Sequence, residues 1–324
     1  MRYRKPLLTM ATAFSALTAV AIAPAYAVDM PCRTAKLIVP WGAGGDTDII
    51  FRLVVDEANK EGAKPKLQVV NVGGQGGNKG AKDAKASAPD GCTLFAMHDS
   101  AIISYLAGRV NFTWNAFEPI ASVSYTPSVI GANIATPYKN MKELVAAAKK
   151  APGTITTGVT LGSTSQFVFL LIEDAAKIKF KYVPYDGTRQ RLTALLAKNI
   201  QVGEMNIITA KQYMKEGSLK GLGIASEKRD PLAPDLPTLK EQGVDVVYGL
   251  TRGVVAPKGT KPEVIKYWEG VINKAAHNKA VEGALAAKGT SVVFRGPAEY
   301  TSYLKKSYAQ YEKLAIAIGM YKKK

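Results

Sequence analysis

Twice along this chain, apolar runs of strand length alternate with segments of helical periodicity, and glycine-rich turns fall where strand gives way to helix. The first pass contains the strand Leu37-Ile38-Val39 and a helix with apolar positions Ile50, Leu53, Val54 and Ala58. A strand at 67–72, a helix at 81–88, the turn Pro89-Asp90-Gly91 and a strand at 92–97 follow. This β-α-β-α-β order predicts a parallel sheet with helices on its faces. The second pass restarts at Asn140, which stands at capping-box spacing from Glu143 and opens a helix through Lys150. Strands at 155–159, 180–183 and 219–225 then enclose helices at 165–176 and 189–197. A strand around Val254-Val255-Ala256 leads into a helix whose face is Val264, Ile265, Trp268, Val271, Ile272 and Ala275. A last helix, lined by Tyr300, Leu304, Tyr308, Tyr311, Ala315 and Ile318, ends at Gly319. Two α/β units with no flexible segment between them predict two lobes joined by strands, with a ligand cleft between the lobes.

The N-terminus points to export. Arg2, Arg4 and Lys5 precede an apolar run at 7–24 and the small-x-small site Ala25-Tyr26-Ala27. This pattern predicts a secretory signal cleaved after Ala27. The formal charge is +17, and it falls to +14 once Arg2, Arg4 and Lys5 are removed. So basic a chain invites a nucleic-acid reading. The lysines are dispersed over helical faces, however, without the compact basic and aromatic run that such a partner needs, so nucleic acid is set aside. Cys32 and Cys92 are the two cysteines. In an oxidising compartment two thiols usually pair. Cys32 precedes the first strand and Cys92 begins the third. In a sheet of order 2-1-3 those strands are neighbours and both cysteines lie at the same end, which predicts a disulfide.

The chemistry concentrates at strand-to-helix turns. Trp41, Gly42, Ala43, Gly44, Gly45, Asp46, Thr47 and Asp48 follow the first strand. Glycines there let amides converge, and a helix start adds partial positive charge, so an anion can be held without a basic side chain. A branched side chain at Gly44 or Gly45 is therefore expected to abolish binding. The loop at 73–80, with Gly74, Gly76, Gly77 and Asn78, is predicted to meet the first at one edge of the cleft. Ser163, Thr164 and Ser165 open a helix in the second unit, and Tyr185, Asp186 and Arg189 form a similar turn. His98, followed by Asp99 and Ser100, is expected to line the cleft.

Cofactors are not implied. Thr47 replaces the third glycine of a dinucleotide fingerprint, and Asn71 ends the second strand where an acidic residue would hold a ribose. Neither glycine-rich loop carries the Lys-Ser/Thr pair of a P-loop, and no metal-ligand spacing occurs. No nucleophile elbow exists, and His98, Asp99 and Ser100 are too close in sequence for triad geometry. The chain reads as a binding protein, not an enzyme.

These motifs resemble the Bug family, the substrate-binding proteins of tripartite tricarboxylate transporters. The segment at 37–48 is similar to the family's I-V-P-F-x-x-G-G-x-x-D, and 73–80 to its G-x-G-G-x-x-G. Pro89-Asp90-Gly91-Cys92-Thr93-Leu94 resembles P-D-G-Y-T-L, and Val183-Pro184-Tyr185-Asp186-Gly187 resembles V-P-Y-x-G. Lys228-Arg229, followed by Asp235-Leu236-Pro237-Thr238, resembles K-R and P-D-V-P-T. The resemblance implies a type II periplasmic-binding fold of two doubly wound lobes joined by crossover strands. It implies residues 28–128 plus 249–324 as lobe 1 and 129–248 as lobe 2. It also implies a monomeric receptor for a small carboxylate, delivered to the membrane subunits of a tripartite transporter. A sensory receptor is the alternative reading, and an enzyme of unknown reaction the third. Many members carry F-D-N where this chain has Glu204-Met205-Asn206. Asn206 is retained as a ligand candidate, and the missing aspartate predicts poor binding of free amino acids.

Overall fold

The computed structural model describes residue 1, residues 28–317 and residues 319–322. The proposed signal segment, Ile318 and the terminal lysines 323 and 324 lie outside the described residues.

The first unit runs β1 (Thr34–Val39), α1 (Asp46–Lys60), β2 (Lys66–Asn71), α2 (Asn78–Ala86), β3 (Thr93–His98), α3 (Ser100–Leu106) and β4 (Phe117–Pro127). The second runs β5 (Val129–Asn133), α4 (Met141–Lys150), β6 (Thr156–Val159), α5 (Thr164–Ala176), β7 (Lys181–Pro184), α6 (Thr188–Leu196), β8 (Val202–Met205), α7 (Ile207–Lys215) and β9 (Leu219–Ile224). The chain then forms β10 (Gly249–Pro257), α8 (Pro262–Ala276), α9 (Lys279–Ala286), β11 (Ser291–Arg295) and α10 (Pro297–Ala317).

Among the described residues these strands form two sheets, ordered β11-β4-β10-β3-β1-β2 and β7-β6-β8-β5-β9. β1 lies parallel to both β2 and β3, the 2-1-3 order expected of a doubly wound unit. β6 repeats that arrangement between β7 and β8 in the second sheet. The added strands are antiparallel: β10 to β3 and β4, and β5 to β8 and β9. Only Ser128 separates β4 in one sheet from β5 in the other. The return crosses at Tyr248, whose N–H donates to Ala225 while its carbonyl accepts from Ser128.

Local sequence explains the elements. Asp46 and Asp48 occupy the first turn of α1, where the helix dipole favours them, and Ile50, Phe51, Val54, Val55 and Ala58 form its buried face. The Asn140 side chain caps α4 by accepting from the Glu143 N–H at 2.9 Å. Pro262 sits at the start of α8, whose Trp268 is fully buried and donates to the Gly91 carbonyl at 3.0 Å. Val271, expected on that face, is only partly buried. The Cys32–Cys92 disulfide is present, with Cα atoms 6.0 Å apart. It ties the segment before β1 to the segment before β3. The C-terminal helix α10 packs against β4 and α3 in the first lobe, and its Tyr311 ring meets Phe167 of α5 in the second at 5.3 Å. One apolar cluster therefore runs through both lobes.

Candidate functional site

Three helix N-termini converge on a cavity of about 360 Å3 between the sheets. The start of α1 contributes Gly45, Asp46 and Thr47; α5 contributes Ser163, Thr164 and Ser165; α6 contributes Gly187, Thr188, Arg189 and Gln190. Each helix starts where a parallel strand ends, so the topology places its unpaired first-turn amides at the carboxyl edge of a sheet. Together they make the cavity floor receptive to negative charge.

Of the expected residues, Trp41, Gly42, Ala43, Gly45, Asp46, His98, Ser163, Thr164, Ser165, Asp186 and Arg189 line this cavity. The Trp41 indole stacks on His98 with planes 9° apart and centroids 5.0 Å apart, and its N–H donates to His98 Nε2. The Ser100 amide nitrogen lies 3.1 Å from the other ring nitrogen, and because a neutral imidazole accepts at only one of its two nitrogens, the Trp41 and Ser100 donors compete for it. Burial, followed by the nearby Arg252 charge, lowers the His98 pKa to about 3. The ring is therefore a neutral wall of the cavity at physiological pH.

The remaining candidates lie outside the cavity, each for a local reason. Gly44 turns away in a left-handed conformation, φ +76°, and its amide donates to Asp48 Oδ2 at 2.8 Å. Asp48 is buried and also receives Arg52 and Asn71, each at 2.9 Å. Burial pushes its carboxyl up, but these hydrogen bonds outweigh burial and hold it below its ordinary range. It is the strut of the turn. The loop with Gly74, Gly76, Gly77 and Asn78 backs the first loop: Gly77 packs against the Trp41 ring, and Asn78 is buried at the start of α2. Ser100 is buried beside His98, and Tyr185 packs into the satellite core of the second sheet. Asn206 caps α7 and lines a smaller cavity behind Asp46.

Several of these residues bridge the lobes instead. Asn206 donates to Asp46 Oδ1 at 2.6 Å, and the Gly76 amide to Asp186 Oδ1 at 3.3 Å. Arg189 donates to the Ala43 carbonyl at 3.4 Å, and Ser104 to the Gly162 carbonyl at 2.9 Å. These contacts describe a closed cleft.

The hydroxyls of Ser163 and Ser165 are already engaged. Ser163 Oγ donates to the Thr160 carbonyl at 2.8 Å, and Ser165 Oγ accepts from the Thr160 N–H at 2.9 Å. What this turn offers a ligand is mainly amides.

Thr47, within the turn at 41–48, also lines the cavity, whereas Thr160, Thr188, Gln190, Arg191, Leu250 and Arg252 were not singled out by the sequence. Glu204, beside the position where family members carry an aspartate, also lines the cavity. Arg191 is buried and pairs with Glu204 at 2.7 Å. Burial raises the Glu204 pKa and Arg191 opposes that rise, which leaves a net upward shift. Arg252 lies on β10, far from any glycine-rich turn. Only the crossover brings it in, and no sequence signal marks it. Among the described residues, no cluster of His, Cys, Asp and Glu is arranged to hold a metal. No helix among them is long and apolar enough to cross a membrane.

Comparison with known proteins places this geometry. Residues 50–320 match the family described as "Tripartite tricarboxylate transporter family receptor". A Cupriavidus necator protein, described as a UPF0065 protein in the gbd 5′ region, is 31% identical over 308 residues, which is 91% of each chain. MatC of Rhodopseudomonas palustris, solved with bound malate, is 27% identical with a TM-score of 0.82; the match covers 88% of this chain and 99% of that one. The periplasmic binding protein BugD is 26% identical with a TM-score of 0.81, covering 90% of this chain and 99% of its own.

Proposed function

This chain belongs to the tripartite tricarboxylate transporter receptor family, and from that premise we propose that it captures a small carboxylate in the periplasm and delivers it to the membrane subunits of such a transporter. The observation that carries the reading is the convergence of three helix N-termini from two lobes on one cavity. Such a cavity neutralises a carboxylate through backbone dipoles, and hydrogen bonds across the cleft mouth close it over the guest. The volume suits a compact acid, since small-molecule pockets run from about 300 to 1,000 Å3. MatC, bound to malate, is a relative of matching fold and supports the same ligand class.

The ligand-binding surface is proposed to comprise Trp41, Gly42, Ala43, Gly45, Asp46, Ser163, Thr164, Ser165, Asp186 and Arg189, with His98 as a neutral wall. The second glycine-rich loop and Asn206 act on closure. The lobes, 28–128 plus 249–324 and 129–248, move as units about the crossovers near Ser128 and Tyr248, and the receptor works as a monomer. The N-terminal segment through Ala27 directs export and is removed.

Thermal-shift screening tests this reading, because a ligand that binds the native state raises its melting temperature. Malate, succinate and benzoate are expected to include at least one that shifts the transition, while aspartate and glutamate leave it in place. Shifts with the amino acids alone overturn the proposed ligand class. Mass spectrometry of protein from the periplasmic fraction tests the cleavage site, with Val28 as the expected first residue.

A further inference from the structure

The arginines around the cavity differ in how their charge is met. Arg52 and Arg191 each have a carboxylate partner, Asp48 and Glu204 respectively. Arg189 is exposed and screened by water. Arg252 lines the cavity at only 2% exposure, yet among the described residues no carboxylate lies within ion-pair distance of it. Its Nε donates to Thr47 Oγ1 at 3.1 Å and its Nη1 to Thr126 Oγ1 at 2.8 Å. Both partners are neutral hydroxyls. Nη2 has no protein partner among the described residues.

The nearby acids are committed elsewhere. Asp46 receives Asn206, Glu204 receives Arg191, and Asp99 receives the Thr251 amide and the Tyr303 hydroxyl. Burial pushes the Arg252 pKa down, and those three carboxylates draw it back only in part. The backbone favours this placement. The β10–β4 ladder shifts register between Arg252 and Gly253, the kind of irregularity that re-aims a side chain. Leaving a buried guanidinium without a counter-charge is costly unless something completes it.

We infer that Arg252 is the charge anchor for the ligand, with its free guanidinium edge held ready by Thr47 and Thr126 to pair with the carboxylate of the bound acid. The inference rests on the proposed function, and it assigns the decisive contact to a side chain on a crossover strand instead of to a glycine-rich loop. Thr47 belongs to the first turn of α1, so a carboxylate at Arg252 also meets that helix's amides.

Calorimetric titration of the native protein, Arg252→Gln and Thr126→Val with malate, succinate and benzoate tests it. Arg252→Gln keeps a hydrogen-bonding group near Thr47 and Thr126 but removes the charge. Affinity for the acid that the native protein binds is expected to fall roughly 100-fold. The ligand-free melting temperature should hold or rise, because an uncompensated buried charge has gone; a purely structural arginine would lower it. Thr126→Val loosens the tether from outside the cavity and should weaken binding about fivefold, the worth of one hydrogen bond. If Arg252→Gln does not fold, Thr126→Val decides, and unchanged affinity there overturns the inference. Native-like affinity in folded Arg252→Gln overturns it while leaving the carboxylate reading intact. Failure of the native protein to bind any of the acids overturns both.

Discussion

Asp46, the first residue of α1, accepts a 2.6 Å hydrogen bond from Asn206, the residue that caps α7 in the opposite lobe. One side chain borders the ligand cavity and the other borders the smaller cavity behind it, so this bond is a clasp across the cleft.

Asn206→Asp isolates the clasp. Aspartate is as good a helix cap as asparagine, so α7 should persist. A second carboxylate would then face Asp46, and like charges brought together cost several kcal/mol. The closed state should lose population. Small-angle scattering is expected to give a larger radius of gyration for the variant than for the native protein, and ligand affinity should drop roughly tenfold. Equal radii at neutral pH would remove the clasp from the account.

The turn at Gly44 and Gly45 makes a sharper claim than the sequence did. A branched side chain at either glycine is expected to abolish binding, and the structure further separates the two positions in stability. Gly44 has φ +76°, and a Cβ there would also stand 3.7 Å from Arg189 Nη1, so Gly44→Ala should cost about 1–2 kcal/mol in urea unfolding. Gly45 is an N-cap in extended geometry whose added Cβ meets only the Gly42 carbonyl at 3.4 Å. Gly45→Ser should therefore be neutral within about 0.5 kcal/mol, or stabilising through a new cap. A comparable loss in both variants would mean that the positive φ at Gly44 is not what constrains the turn.

Asp99 links pH to stability. Burial raises its pKa from 3.8 to about 7, against the pull of the Thr251 and Tyr303 hydrogen bonds and Arg252. Between those values the folded state holds a proton that the unfolded chain releases. Stability therefore falls as pH rises through that window, by at most about 1.4 kcal/mol per pH unit for this group. His98 acts oppositely, since its folded pKa of about 3 lies below 6.5, so its contribution is lost as pH falls below 6.5. Asp99→Asn removes the first effect. Its melting temperature minus that of the native protein should climb from pH 4 to about pH 7 and then level off, and a flat difference across that range would contradict the buried-acid assignment.

The disulfide joins residues separated by 60 positions. Cross-linking a loop of that length restricts the unfolded chain by up to about 4 kcal/mol. Cys92→Ser, with Cys32→Ser to avoid a stray thiol, should lower the unfolding free energy by about 2–4 kcal/mol without displacing the cavity residues. Guanidinium titration of the oxidised, reduced and double-variant proteins checks this, with the last two expected to coincide.

The legible part of this protein was what repeats locally. Helical spacing exposed the Val264, Ile265, Trp268, Ile272 and Ala275 face of α8, and apolar runs marked β1 to β3, because periods of 3.6 and 2 are imposed by the backbone itself. Glycine-rich turns marked α1 as a place where amides converge, and the cysteine positions followed from neighbouring parallel strands. β4, β5, β8 and β11 are not marked by the sequence reading. β4 and β5 are almost wholly buried, and β4 buries Ser122, Ser124 and Thr126 among its apolar residues, so polarity marks no single inward face there.

The sequence by itself determined the two α/β units, the disulfide pair and the first loop as a wall of the cavity. The tertiary structure decided which of two similar glycine-rich loops faces that cavity and which backs it. Both loops are glycine-rich turns between strand and helix, and what separates them is that Gly73, Gly77 and Gly80 of the second lie against Gly42, Trp41 and Pro40 at the first. It also decided the place of Arg252, whose position depends on β10 returning between β3 and β4 after more than a hundred residues spent largely in the other lobe. Local propensity cannot encode such a return, because it follows from burying apolar strands in one sheet, a free energy summed over the whole fold.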